Sequence, residues 1–280
     1  MTKGLLKLAS GADIAYWTHH DDKKQTLILV HGFTGSHEGF QYLVPLLKDF
    51  RLIIPDLPGF GTSPLPHDRL TLAGLGELLL DFIDALALDT KPYLLGHSMG
   101  SLVVSEAARQ QPDSFAKKLI LVSPVPSPIG WLESRRLGAM ASTVYYQASH
   151  RLPVIGKRLA TSHKITRLST KMIMTTQIRE LRDAIFDHHF NNLKYISSIG
   201  WYSRLYAEIN RTGISRYRAA LKPFDILLVN GDRDTVTPLG HQQTAAKALH
   251  AKLVTIPQVG HLAHYEKPTE LAAQITTFLK

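Results

Sequence analysis

There is no cysteine among the 280 residues. That absence excludes a disulfide framework and a thiolate metal site, and it accords with a reducing compartment, the cytoplasm. Also missing is any apolar run of the roughly 18 residues that would cross a bilayer as a helix. The first ten residues carry one short apolar patch at Leu5 and Leu6 and no long hydrophobic stretch, so they make a poor signal peptide. They fit a first strand instead, with Ser10-Gly11 turning into a second strand over 14–17. No internal repeat and no low-complexity tract interrupts the chain, and the composition is that of an ordinary globular protein.

Negative charge is scarce in one block only. The formal net charge is +9, yet residues 125–222 hold 16 Lys and Arg against 5 Asp and Glu, while the rest of the chain holds 16 against 18. A basic balance spread over a whole domain would point to nucleic acid. This one is confined to a block, and no nucleic-acid-binding module accompanies it. The block reads as a solvated helical surface or, more sharply, as a surface that meets an acidic partner or substrate.

The most informative stretch is Gly96-His97-Ser98-Met99-Gly100. A buried apolar run over 93–95 precedes it. Leu102, Val103, Ala107 and Ala108 recur behind it at helical spacing. Strand, Gly-x-Ser-x-Gly and helix together describe a nucleophile elbow, a turn so tight that small residues are needed on both sides of the serine. The serine is then held in a strained backbone conformation at the start of a helix, whose dipole is positive at that end.

Other strands follow from continuous β-branched and leucine runs at 26–30, 51–54, 118–122, 224–229 and 252–256. Helical periods lie between them, at 36–48 (Phe40, Leu43, Leu46, Leu47), 71–88, 239–249 and 268–279. Regularity breaks at the proline-dense stretch Pro124, Pro126 and Pro128. From Trp131 to about Leu221 the pattern is helical with no clear strand, and aromatics including Tyr145, Tyr146, Trp201, Tyr202 and Tyr206 are interleaved with Arg and Lys. Alternating strands and helices predict an α/β domain with a mainly parallel sheet and helices on both faces. The predicted organisation is a core of residues 1–124 and 223–280 with a helical cap, or lid, inserted at 125–222.

A serine needs a neighbouring base, and the base needs an acid to orient it. In open α/β sheets such groups stand just past the carboxyl ends of strands. His261 follows the 252–256 strand and is the favoured base, with His264 its local rival. Asp234 follows the 224–229 strand and is the favoured acid, ahead of Asp232, which lies closer to the tight turn at Gly231. His97, inside the elbow, is expected to point away from the bond-making face. The backbone N–H groups of Met99 and Phe33 are the expected oxyanion donors, with Gly32 allowing close approach and His31 bracing the loop. His31, Gly32, Trp131 and Trp201 are the candidates for lining a substrate pocket. The order Ser98, Asp234, His261 along the chain suits a hydrolase of this architecture.

In His31-Gly32-Phe33, Asp56 through Ser63, Gly96 through Gly100, Gly231 through Asp234, and Gly260-His261 with Glu266 to Pro268, nearly the whole chain resembles the α/β-hydrolase superfamily. It looks like the serine-esterase branch that carries a helical cap after the sixth sheet strand. The resemblance implies an α/β-hydrolase fold, with an eight-stranded, mostly parallel sheet whose first hairpin is antiparallel. It implies ester hydrolysis through an acyl-enzyme without cofactor or metal, and it again selects Asp234. The substrate expected is a small or medium acyl ester. Alternatives of the same fold are an esterase acting on a chain carried by an acidic acyl carrier protein, a carbon–carbon bond hydrolase, and a hydrolase-fold ligand receptor. No nucleic-acid partner and no membrane span are expected, and the expected location is cytoplasmic.

Overall fold

The computed structural model describes residues 1–67, 70–128, 154, 157–158, 161–194 and 196–280. Its strands are β1 (Thr2–Lys7), β2 (Asp13–His19), β3 (Thr26–Val30), β4 (Arg51–Pro55), β5 (Tyr93–His97), β6 (Lys118–Val122), β7 (Asp225–Gly231) and β8 (Lys252–Ile256). They form one sheet in the order β1-β2-β4-β3-β5-β6-β7-β8. β2 runs antiparallel to β1 and to β4, and the remaining pairs are parallel.

The described helices are α1 (Leu72–Ala85), α2 (Met99–Gln110), α3 (His163–Ile173), α4 (Arg179–Leu193), α5 (Ile199–Asn210), α6 (Arg218–Leu221), α7 (Leu239–Leu249), α8 (Ala263–Glu266) and α9 (Pro268–Leu279). None of them is long and apolar enough to cross a membrane. The continuous apolar runs of the central strands divide by alternation. Ile28, Leu94, Leu119, Leu121, Ile226 and Leu228 face one core with α1, α2, α5 and α7. Their neighbours Leu27, Leu95, Ile120, Val122, Leu227 and Val229 face the other, with Phe40, Leu43, Leu47 and α9. A strand buried on both faces needs apolar side chains at every position, which is why these runs read so clearly.

One predicted helix does not form. Residues 36–48 fold as two short 3₁₀ turns, His37–Phe40 and Val44–Leu46, instead of one α-helix. Pro45 has no N–H to give to an α-helical ladder, and most local bonds run i to i+3, as in Leu43 N–H to Phe40 C=O at 2.9 Å. Phe40, Leu43 and Leu47 are buried, but Leu46, third in the expected stripe, is 39% exposed.

Helices α3 to α6 lie in the chain between β6 and β7, and no strand interrupts them among the described residues. This segment is tied to the core by specific bonds. Trp201 Nε1–H donates to the Leu70 carbonyl at 2.7 Å. The Glu208 carboxylate accepts from the Leu72 N–H at 3.0 Å, placing negative charge at the N-terminus of α1, where the helix dipole favours it. Trp131, Tyr145 and Tyr146 lie outside the described residues.

Candidate active site

The site begins where β5 turns into α2. Ser98 sits at that junction with φ 51° and ψ −116°, a left-handed conformation that costs a non-glycine residue about 1–3 kcal/mol. The turn permits no side chain at its flanks. A Cβ at Gly96 would lie 2.5 Å from the Gly100 carbonyl oxygen. Hydrogen bonds hold the strained residue in place. The Ser98 N–H donates to the Val122 carbonyl at 3.0 Å, and the Ser101 hydroxyl donates to the Ser98 carbonyl at 2.6 Å. The Ser98 hydroxyl is thereby lifted off the sheet at the carboxyl end of β5.

Two further loops at the same edge reach it. The Ser98 hydroxyl lies 3.0 Å from His261 Nε2, and His261 Nδ1 lies 2.9 Å from Asp234 Oδ2. A carboxylate only accepts, so Nδ1 carries the proton and Nε2 is left to accept from the serine. The Asp234 carboxylate is itself fixed by the β7 loop. Its Oδ1 accepts from the N–H groups of Val236 and Thr237, both at 2.8 Å, and its Oδ2 accepts from the Thr237 hydroxyl at 2.6 Å. Burial pushes its pKa up, but His261 and these donors outweigh burial and hold it well below the usual carboxylate range. Asp232 is exposed and does not occupy this place. Nor does His264, whose ring packs against His97 at 4.1 Å between centroids.

On the other side of Ser98 runs the loop after β3. A Cβ on Gly32 would meet His97 Nδ1 at 2.9 Å and the Ser98 Cβ at 3.1 Å, so this backbone passes as close to the serine as it can. His31 braces it. Its Nε2 accepts from the Leu57 N–H at 3.0 Å, and its Nδ1 donates to the Gly32 carbonyl at 2.8 Å. Met99 is the first residue of α2, and the first N–H groups of a helix have no partner within it.

The family model described as alpha/beta hydrolase family matches residues 27–274. The chain belongs to the alpha/beta hydrolase family. Across 96% of its length it is 26% identical to the uncharacterized hydrolase YugF of Bacillus subtilis, covering 95% of that protein. Over 39% of the chain it is 32% identical to the pimeloyl-[acyl-carrier protein] methyl ester esterase of Serratia marcescens, covering 40% of it. Among solved structures, a thermophilic esterase from Thermogutta terrifontis shares the fold with a TM-score of 0.80 at 21% identity, covering 100% of this chain and 98% of the other.

Above Ser98 the hydrolase has a cleft of ≈ 440 Å³, counting space open to solvent. His31 and Gly32 line it. Trp201 does not: it is 1% exposed, held by its bond to Leu70 and packed edge-on to Phe60 at 5.4 Å. Trp131 lies outside the described residues. The cleft also takes in Ile173, His189 and Tyr265, which sequence reasoning did not single out. Ile173 ends α3, and nothing in a helical period says which end of a helix will meet a loop far along the chain. Asp56 was visible only as part of a motif. It is fully buried, and it joins the β3 and β4 loops by accepting from the N–H groups of His37 and Thr62, both at 2.8 Å. Among the described residues, no group of three or more His, Cys, Asp or Glu is placed to hold a metal ion.

Three buried histidines, His31, His97 and His264, border the same cleft of the hydrolase. His97 Nε2–H donates to the His261 backbone carbonyl at 3.2 Å. Burial, with His261 alongside, pushes the His97 pKa down to about 3. Burial and the nearby imidazoles hold His264 far below its ordinary value, and burial lowers His31. In the unfolded chain each titrates near 6.5. The unfolded state therefore binds more protons below about pH 6.5, and stability falls as pH falls through that range. Asp234 and Asp56 are both held low, so the stability they add is full above the ordinary carboxylate range and is lost below it. We expect the melting temperature to drop already between pH 7 and pH 5, before the carboxylates titrate. His264→Phe removes one titrating group and flattens the slope by up to about 1.4 kcal/mol per pH unit. Calorimetry across this range checks both, and a melting temperature independent of pH from 7 to 5 would contradict them.

Proposed function

We propose that the protein is a serine carboxylesterase that cleaves small or medium acyl esters through a Ser98–His261–Asp234 triad. The observation that carries this reading is the unbroken path of hydrogen bonds from the Ser98 hydroxyl through His261 to Asp234, at 3.0 and 2.9 Å. In this mechanism Ser98 Oγ attacks the ester carbonyl as His261 Nε2 takes its proton. The oxyanion forms against the N–H groups of Phe33 and Met99. Asp234 stabilises the imidazolium without taking its proton. The imidazolium then protonates the leaving alcohol, and the acyl group stays on Ser98. Water, deprotonated by His261, attacks the acyl-enzyme and releases the acid. Helices of the 125–222 segment serve as a cap, since Ile173 and His189 border the cleft.

A series of p-nitrophenyl esters of increasing acyl length tests this reading. We expect turnover to be highest for short and medium chains, and no ester hydrolysis across the series would contradict it. A second reading, an esterase acting on a chain tethered to an acidic acyl carrier protein, is favoured by the charge of 125–222 and by the carrier-protein relative. It requires kcat/KM for a carried ester to fall with ionic strength while the free ester stays indifferent.

A further inference from the structure

Over its middle turns helix α3 faces polar side chains inward and apolar ones outward, the reverse of a helix on a protein core. It buries Thr166 and Thr170, each 2% exposed, and leaves Leu168 and Met172 at 64% and 61% exposed. Inside, the Thr170 hydroxyl meets His189 Nδ1 at 3.1 Å, while His163, exposed at the start of the helix, stands edge-on to Phe186 of α4 at 4.5 Å. Outside, Leu168 and Met172 stand among Lys164, Arg167 and Lys171, which are all exposed. Ile178, 61% exposed, stands in the short connection just before α4, and Arg179 follows it. Asp183 is shared by Arg167 at 3.5 Å and Arg179 at 3.8 Å. Lys164, Lys171 and Arg182 pair with no carboxylate among the described residues. Protruding apolar side chains ringed by unpaired cations are costly in water and suited to an interface.

The position of this face matters as much as its composition. The C-terminal end of α3 stands at the active site. The Met172 carbonyl accepts from the Thr235 hydroxyl at 3.4 Å, next to Asp234. Ile173 lines the cleft, and the Thr175 hydroxyl accepts from the Gly260 N–H at 3.2 Å, next to His261. The eleven residues of α3 span about 16 Å, so its outer face begins beside the cleft.

We propose that the outer face of α3, with Ile178 and Arg182, docks the enzyme on an anionic lipid bilayer. Lys164, Lys171 and Arg182 meet acidic headgroups, while Leu168, Met172 and Ile178 enter the boundary between headgroup and acyl chain. A purely charged partner would use the cations and gain nothing from the apolar side chains between them. A bilayer uses both. Docked in this way, the cleft mouth lies at the membrane surface, where lipid esters are held. The docking itself does not depend on the esterase reading.

Vesicle co-sedimentation tests it with the full chain. Phosphatidylcholine vesicles containing about one third phosphatidylserine should bind the protein at about 0.1 M salt, and pure phosphatidylcholine vesicles should bind it far less. The pair Lys164→Glu and Lys171→Glu should lower partitioning roughly tenfold or more. The pair Leu168→Ser and Met172→Ser should do the same with the charge unchanged. Both pairs should keep the wild-type melting temperature and the wild-type hydrolysis of a water-soluble ester. Ser98→Ala protein should bind vesicles as wild type does, which separates the docking from the chemistry. No binding to the anionic vesicles overturns the proposal. So does binding that the serine pair leaves unchanged, which would mean charge attraction alone. Binding of a soluble acidic carrier protein through the same cations, with no vesicle binding, would give the face to that partner instead.

Discussion

Replacing Ser98 by alanine should lower ester hydrolysis about 10⁴-fold or more while the protein stays folded. The triad members act as a unit, so losing the nucleophile forfeits nearly the whole contribution of the three. What remains comes from oxyanion donors and substrate binding. The fold should tolerate the change. The Ser98 hydroxyl meets only His261 among the described contacts, and the backbone bonds that hold the turn, to Val122 and from Ser101, are unaffected. Alanine must adopt the same positive φ that serine already adopts, so the melting temperature should change little. Steady-state rates on a chromogenic ester, together with a thermal melt, measure both. A folded Ser98→Ala protein with most of its activity would remove Ser98 from the mechanism.

Asp234→Asn should cost about 10³–10⁴-fold in kcat, by a different route. Asparagine has one acceptor oxygen where aspartate has two. If that oxygen keeps the Val236 and Thr237 N–H groups, now at 2.8 Å, its NH₂ group faces His261 Nδ1 and donates to it. The imidazole proton then moves to Nε2, the atom that must accept from Ser98. The base is present and correctly placed but holds the wrong tautomer. The buried imidazolium formed in the reaction also loses its counter-charge. KM should change little, since Asp234 is 4% exposed and does not line the cleft. Steady-state kinetics separate the two parameters. A KM effect with kcat intact would mean that Asp234 shapes the pocket instead of orienting His261.

Much of the fold was legible because a sheet covered on both sides leaves a simple trace. Leu94 and Leu95 go to different cores, yet both must be apolar, so strands such as β5 and β6 read as continuous runs. The grouping of Ser98, Asp234 and His261 was legible for a related reason. Parallel strands bring their carboxyl ends to one edge, so residues far apart in the chain but just past a strand are brought together. The 36–48 stretch misled because three of its four stripe residues are buried, as a helix would bury them, while Pro45 and the i to i+3 bonds set a tighter turn. Trp201 misled for a different reason. An aromatic in a helical segment can face the cleft or the core, and only packing, here against Phe60 and Leu70, decides. The contact between His97 and His264 left no trace in spacing at all. It exists because the end of β5 and the short helix α8, which follows β8 in the chain, meet in space, which is a property of the assembled fold.

The most direct measurement of the proposed chemistry is the mass of the intact protein after exposure to a fluorophosphonate, followed by peptide mapping. An activated serine displaces fluoride and keeps the phosphonyl group, as it would keep an acyl group. The expected result is a single adduct per chain, located on Ser98, with loss of esterase activity in step with labelling and no adduct on Ser98→Ala protein. Full ester hydrolysis by a protein that takes up no phosphonate at Ser98, or equal labelling of Ser98→Ala protein, would contradict it.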